Sequence, residues 1–262
     1  MVAITQFSRE HIFDAVKLMY TSVANEPEKE FHFPTGRAAC EFVGYPPEQL
    51  DRIIPTALES FAGVGYPFAA DVITEGATVL DIGAGAGTDI LLSALLTGAS
   101  GKAYGLDMTR AMHEKLHHNL QAMGLENVIP LSGNAEEIPL EDSTVDVVTS
   151  NGVLNLVPDK PQAFAEIYRV LKPGGHIQIS DIVINRNKES LEKSKANPKL
   201  WAECIVGAME EAEYIGELEK AGFRNIGRID KLDYFAGSSS ESTRKVAESF
   251  GAVSITIVGD KE

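Results

Sequence analysis

Cysteine is nearly absent from this chain of 262 residues. Cys40 and Cys204 are its only two, too few for a disulfide framework. Their scarcity suits a reducing compartment, so the expected location is the cytoplasm. Long apolar runs are absent as well. No stretch approaches the ~18 uncharged apolar residues of a membrane-crossing helix, and the opening MVAITQFSREHIFD carries charges where a secretory leader needs an apolar core. Basic residues are scarce: 23 Lys and Arg stand against 38 Asp and Glu, for a net charge of −15. A nucleic-acid or anionic-membrane partner requires a basic footprint that displaces counterions. Neither is expected, and a small-molecule partner fits better; a homodimer is compatible with the sequence. Internal repeats and extended low-complexity tracts are also missing.

What is present is an alternation. Hydrophobic residues make up 44% of the chain, enough at this length for one full α/β domain. From about residue 77 onward, short apolar runs alternate with helix-length amphipathic segments. The runs cover 77–83, 101–107, 127–133, 144–151, 175–184, 225–236 and 252–259. Near-continuous apolar runs of this length suit strands buried on both faces of a parallel sheet, and the alternation predicts a doubly wound α/β fold. Thr88 or Asp89 is placed to cap a helix running to Gly98, and Thr109 one running to Gly124. A helix over 160–171 should stop at Lys172-Pro173-Gly174-Gly175. The last helix, 241–250, leads at once into a strand, and that pair closes the sheet with one antiparallel edge strand. Residues 1–75 break the rhythm and read as helices near 8–24, 36–43, 46–53 and 55–62. We assign them to an N-terminal helical cap over the strand ends, with 76–262 as the catalytic-type domain and an insertion at about 186–213 as a second piece of cap.

The strongest signal is VLDIGAGAGTD at 79–89. A strand ends in Asp81, glycines follow at Gly83, Gly85 and Gly87, and a helix begins. Without Cβ atoms the chain turns sharply and brings its backbone against a ligand, and the helix start offers free N–H groups. Dinucleotide folds space their glycines as G-x-G-x-x-G; here the spacing is G-x-G-x-G, with an acid two residues before the first glycine. That acid is unfavourable beside a pyrophosphate and favourable beside a cationic amine, which argues for S-adenosylmethionine over NAD. Asp107 ends the second strand about twenty residues on, where an acid accepts ribose hydroxyls or caps the next helix. Met108 is placed either against an adenine or in the core. Asn134 and Ala135, with Gly133 and Glu136, read either as adenine-edge contacts or as simple turn chemistry.

VLDIGAGAG, the strand-ending YGLDM, the block SGNAEEIPLEDSTVDVVTSNGVLNLVPDK and the RVLKPGG turn resemble class I S-adenosylmethionine-dependent methyltransferases, most closely the arsenite methyltransferase group. The resemblance runs from about Ala57 to the end of the chain. It implies a Rossmann-like seven-stranded sheet, S-adenosylmethionine as donor, S-adenosylhomocysteine as product, and a substrate end formed by the cap. It also implies three arsenic-binding thiolates, and only Cys204 matches one of them. Gly63-Val64-Gly65 stands where the group has Gly-Cys-Gly, and Ser150-Asn151-Gly152 where it has Ser-Asn-Cys. Trivalent arsenic, like a soft metal, calls for more than one thiolate.

Methyl transfer from a sulfonium needs mainly proximity, alignment and exclusion of water, with a general base only for a protonated nucleophile. Asn151 and Asn155, after the fourth strand, are either substrate contacts or turn caps. His32, in a loop rich in aromatics, is either a base or ordinary surface, with Tyr20 and Tyr66 as candidates of the same kind. Asp181 is either a substrate-facing acid or a structural carboxylate. Cys204 is either a substrate-facing thiol or a small buried residue, with Trp201 one helical turn away. His113, His117 and His118 lack the neighbouring acids or cysteines of a metal site, and no metal is expected. The reading is a methyltransferase acting on a small acceptor. The alternatives are an arsenite or thiol methyltransferase using Cys204, or a non-catalytic S-adenosylmethionine-binding module.

Overall fold

The computed structural model describes residues 6–186 and 205–262. Seven strands follow the expected runs: β1 (Thr78–Ile82), β2 (Lys102–Asp107), β3 (Val128–Ser132), β4 (Val145–Asn151), β5 (Leu171–Ile184), β7 (Arg224–Leu232) and β8 (Val253–Asp260). A two-residue strand, β6 (Met209–Glu210), joins the end of β5. The order β3-β2-β1-β4-β5-β8-β7 makes a doubly wound sheet that reverses direction between β1 and β4, the place where such folds bind ligands. β8 runs antiparallel to both neighbours, β5 and β7, so it lies one strand in from the margin.

The apolar runs become strands because both of their faces are covered. In β5, Ile177, Ile179 and Val183 face one core, while Ile182 and Ile184 face the other. Helices α5 (Thr88–Thr97) and α6 (Arg110–Met123) cover one side. Helices α7 (Lys160–Val170) and α8 (Glu211–Ala221) cover the other. A final helix, α9 (Glu241–Phe250), precedes β8. The Lys172–Gly175 segment ends α7 as expected. It then belongs to β5 as a bulge, since the β4 register jumps from Val145↔Leu171 to Val147↔His176. Gly174 sits there at φ +76°.

The first 75 residues form α1 (Gln6–Asn25), α2 (Gly36–Phe42) and two single turns, α3 (Pro47–Leu50) and α4 (Pro55–Leu58). The two expected helices after residue 46 shrink to four residues each, because prolines at 46–47 and 55 start each turn and the chain folds back at once. The cap shares one continuous core with α5 and α6. Lys115 on α6 holds it at one end, donating to the Ala24 carbonyl at 3.1 Å and to Ser60 Oγ at 2.8 Å. Arg9 on α1 holds the other end through an ion pair with Glu136 after β3. Among the described residues no helix is long and apolar enough to cross a membrane.

Candidate functional site

One cleft opens at the C-terminal ends of the strands where the sheet reverses. It encloses about 950 Å³, its open mouth included, within the usual range for small-molecule sites. Its floor is the turn after β1. Gly83, Gly85 and Gly87 all take positive φ, at +76°, +53° and +117°, a region that favours glycine. Their tasks differ. A Cβ on Gly83 would stand 2.2 Å from Val153 Cγ2, so this glycine gives the floor its depth. Gly85 donates its N–H to Asp107 Oδ2 at 2.9 Å. Gly87 is the N-cap of α5 and packs toward Leu116 of α6; it does not line the cleft. Thr88 and Asp89, expected as caps, sit inside the first turn. Thr88 donates to the Ala57 carbonyl, and Asp89 turns toward the cleft wall, to Tyr45 and Asn151.

Three carboxylates face this cleft. Asp81 is 2% exposed, and its Oδ2 has no hydrogen-bond partner. Burial, with the nearby charges of Asp89 and Asp107, pushes its carboxyl well above the ordinary carboxylate range. Asp107 accepts from Gly85 N–H and, through Oδ1, from Thr109 N–H at 2.8 Å. It therefore fixes the turn that leads into α6 and ties it to the glycine turn. Loss of water raises its carboxyl, and those two N–H groups oppose the rise. Asp89 accepts from Tyr45 Oη at 2.5 Å and from Asn151 Nδ2 at 3.1 Å. Burial pushes it up to about 6, the two hydrogen bonds opposing. No Lys, Arg or His lines the cleft among the described residues.

Asn151 is a hub between β4 and the cap. Its Oδ1 accepts from Val64 N–H at 2.7 Å and Gly65 N–H at 3.2 Å. Its Nδ2 donates to Tyr45 Oη, Gly65 O and Asp89 Oδ2. Gly63 and Gly65 allow this closeness, since added Cβ atoms would meet Asn151 Nδ2 at 2.5 Å and Ser180 Cβ at 2.7 Å. Val64 is buried at 1% exposure and lies against Gly152, where a Cβ would stand 3.0 Å from Val64 Cγ1. The two positions at which the resemblance implied thiolates are thus neighbours, and here they form an apolar contact.

The remaining expected residues divide. Met108, Asn134, Ala135 and Tyr20 line the same cleft. Asn134 Oδ1 accepts from Glu136 N–H, and the Glu136 carboxylate is taken by Asp159 N–H and Arg9. His32 lies apart from the lining: its ring meets Phe33 edge-on, and its carbonyl accepts from Ser238 Oγ. Burial lowers its affinity for a proton, the wrong direction for a stronger base. Tyr66 donates to Gln49 outside the cleft. Asp181 is buried on the far side of β5, accepting from Tyr214 Oη at 3.0 Å, and is pushed up to about 7 by burial. Cys40 is buried in α2 away from the lining. Cys204 and Trp201 lie outside the described residues. His113 Nε2 stands 2.9 Å from the Asp107 carbonyl. Sequence reasoning missed Asp89 as a wall residue. Its signal was available: TDILLSALLT is apolar on every face, which leaves no solvent side for an acid. Tyr45, Phe13 and Phe61, which reach the region from the cap, carried no such signal.

The chain is similar to known proteins over much of its length. A family model described as a methyltransferase domain matches residues 73–222. An arsenite methyltransferase of Halobacterium salinarum is 34% identical over 192 residues, 73% of this chain and 48% of the relative. A demethylmenaquinone methyltransferase of Lactobacillus johnsonii is 28% identical over 233 residues, 81% of this chain and 91% of the relative. The chain spans about half the length of the arsenite methyltransferases it matches. Among solved structures, an arsenic (III) S-adenosylmethionine methyltransferase from Chlamydomonas reinhardtii superposes with a TM-score of 0.63 at 29% identity, over 86% of this chain and 73% of that one. A geranyl diphosphate methyltransferase, at 17% identity and a TM-score of 0.64, shares the fold.

Proposed function

The chain belongs to the class I S-adenosylmethionine-dependent methyltransferases, and on that footing we propose that it transfers a methyl group to a small acceptor held under its N-terminal cap. The observation that carries this reading is the acidic wall around the glycine turn, with Asp81 Oδ2 buried and unpaired. A buried carboxylate without a partner is costly and is relieved by a ligand that brings a cation and hydrogen-bond donors. S-adenosylmethionine has both, whereas a pyrophosphate would add negative charge beside Asp81 and Asp89. Its amino group fits Asp81, and its ribose hydroxyls fit the open lone pairs of Asp107. Its adenine fits between Met108 and the Asn134–Ala135 turn. Bound there, it supplies an electrophilic methyl group.

The protein's own residues then position and exclude. Phe13, Val16 and Tyr20 of α1 roof the cleft and keep water from it. Asn151 uses its amide entirely within the protein, so it acts as a positioning residue that joins the cap turn to β4. Arsenite capture by thiolates is disfavoured, because Val64 and Gly152 fill the matching positions and Cys40 lies elsewhere.

The test is turnover. Methyl-labelled S-adenosylmethionine, incubated with pools of amines, alcohols, thiols and arsenite, should yield S-adenosylhomocysteine together with one labelled acceptor class. Donor binding with no product from any pool would favour a non-catalytic binding module instead.

A further inference from the structure

The donor reading uses two of the three wall carboxylates and leaves Asp89. β1 lies between β2 and β4 in the sheet, and this sorts the three acids. Asp107, at the end of β2, is tied to Gly85 and Thr109. Asp81 is central. Asp89 stands on the β4 and cap side, held by Tyr45 of the cap and Asn151 of β4. It is 6% exposed and lines the cleft. Each of its oxygens accepts one of these hydrogen bonds and keeps a further lone pair. The Asn151 amide cannot turn away, since Val64, Gly65 and Tyr45 fix both of its ends. The cleft is lined by apolar and aromatic side chains, Phe13, Tyr20, Phe61, Leu156 and Val157 among them, and Phe61 meets the ring of Tyr45, Asp89's cap partner, at 5.3 Å between centroids.

We propose that Asp89, held in place by Tyr45 and Asn151, binds the nucleophilic atom of the acceptor, and that this atom is the nitrogen of an amine with an apolar or aromatic body. The inference rests on the methyl-transfer reading above. An acceptor that attacks as an anion, such as a thiolate, a phenolate or a carboxylate, would meet Asp89, the one wall carboxylate the donor leaves without a ligand, and no cation among the described lining residues. Like charges at short range in a poorly hydrated cleft repel strongly. An amine avoids this, because its attacking lone pair is neutral. As nitrogen bonds to the methyl carbon, the carbon–sulfur bond breaks and its electron pair stays on sulfur. The nitrogen becomes cationic beside Asp89, and a nitrogen that carried hydrogen passes a proton to that carboxylate.

The experiment is a calorimetric titration of protein saturated with S-adenosylhomocysteine, so that probes enter the acceptor end only. The probes are benzyltrimethylammonium, benzyl alcohol and phenylacetate. The expected result is that the cation binds at least ~10-fold tighter than the alcohol and that phenylacetate gives no binding heat. Asp89→Asn should bring the cation down to the level of the alcohol, with S-adenosylhomocysteine affinity held within ~3-fold. Equal binding of the three probes by the wild type overturns the inference, as does an unchanged cation preference in Asp89→Asn. A loss of S-adenosylhomocysteine affinity equal to the loss for the cation would overturn it too, by assigning Asp89 to the donor. The three-probe comparison on wild-type protein decides the matter even if Asp89→Asn fails to fold. Failure of the wild type to bind S-adenosylhomocysteine would instead sink the methyl-transfer reading itself.

Discussion

The two walls of the cleft are built in different ways. The wall proposed for the donor comes mainly from one stretch of chain, 81–108, in which strand ends, glycines and a helix start follow in order, with the Asn134–Ala135 turn added. The wall proposed for the acceptor is assembled from the turn at 60–65, Tyr45 and the end of β4, segments as much as 106 residues apart in sequence, as in the Asn151–Tyr45 contact. The first is set by local backbone geometry and tolerates almost no change in shape. The second depends on side-chain packing and a few hydrogen bonds, so its chemistry can change while the donor wall stays constant. One donor can thus serve many acceptors on one fold.

The largest effect should come from the donor floor. Gly83→Val places a branched side chain at φ +76° and into Val153; we expect S-adenosylmethionine affinity to fall more than ~100-fold, beyond the ~2.7 kcal/mol such a factor represents. In Gly83→Ala, adding Val153→Ala should restore part of the loss, which calorimetry would detect. No loss in Gly83→Val would end the idea of a backbone-limited wall.

Asn151→Ala should separate the walls. It strips partners from Asp89 and from the Val64 and Gly65 N–H groups. Each buried group left unpaired costs about 1–3 kcal/mol, so the melting temperature should drop by several degrees. Donor affinity should hold within a few-fold while the acceptor KM rises more steeply. Equal losses at both ends would mean that the walls are not independent.

Arg9→Ala releases α1 from Glu136. Arg9 is 44% exposed but the Glu136 side chain only 1%. The substitution therefore leaves a buried carboxylate with Asp159 N–H as its bonded donor and costs about 1–3 kcal/mol of stability, while donor affinity should change less than ~3-fold. Amide exchange along α1 should quicken, and donor association and dissociation rates should rise together.

The smallest effect is in pH. In the folded protein Asp89 titrates near 6 and Asp181 near 7, both raised above the unfolded value of about 3.9. Between those values the folded state holds protons that the unfolded chain has released. Stability from these groups is therefore greatest at low pH and is lost as pH rises through about 4 to 7. The melting temperature should increase modestly from pH 8 to about 5.5, and Asp181→Asn should flatten that slope.

How much could be read in advance follows the same division. The strands, their order of appearance and the Asp81, Gly83, Gly85 and Asp107 turn are legible because neighbours in sequence are neighbours in space. β8 was legible as a strand, but its place between β5 and β7 is set by pairing with strands distant in sequence and leaves no mark in its own residues. Gly87 belongs to the motif and turns out to serve helix packing, since a Cβ there would meet Leu116 at 2.8 Å. His32 looked chemical because of its residue type, yet the cap folds it against Phe33 instead. Tyr45 and Asp89, 44 residues apart, meet only after the cap docks.

The most direct measurement is calorimetric titration of S-adenosylmethionine and of NAD into the wild type and Asp107→Ala. The account predicts micromolar binding of S-adenosylmethionine alone, weakened at least ~10-fold by the substitution, in line with the ~1.5–3 kcal/mol of hydrogen bonds to a charged group. Binding of NAD, or S-adenosylmethionine binding that ignores Asp107, would contradict it.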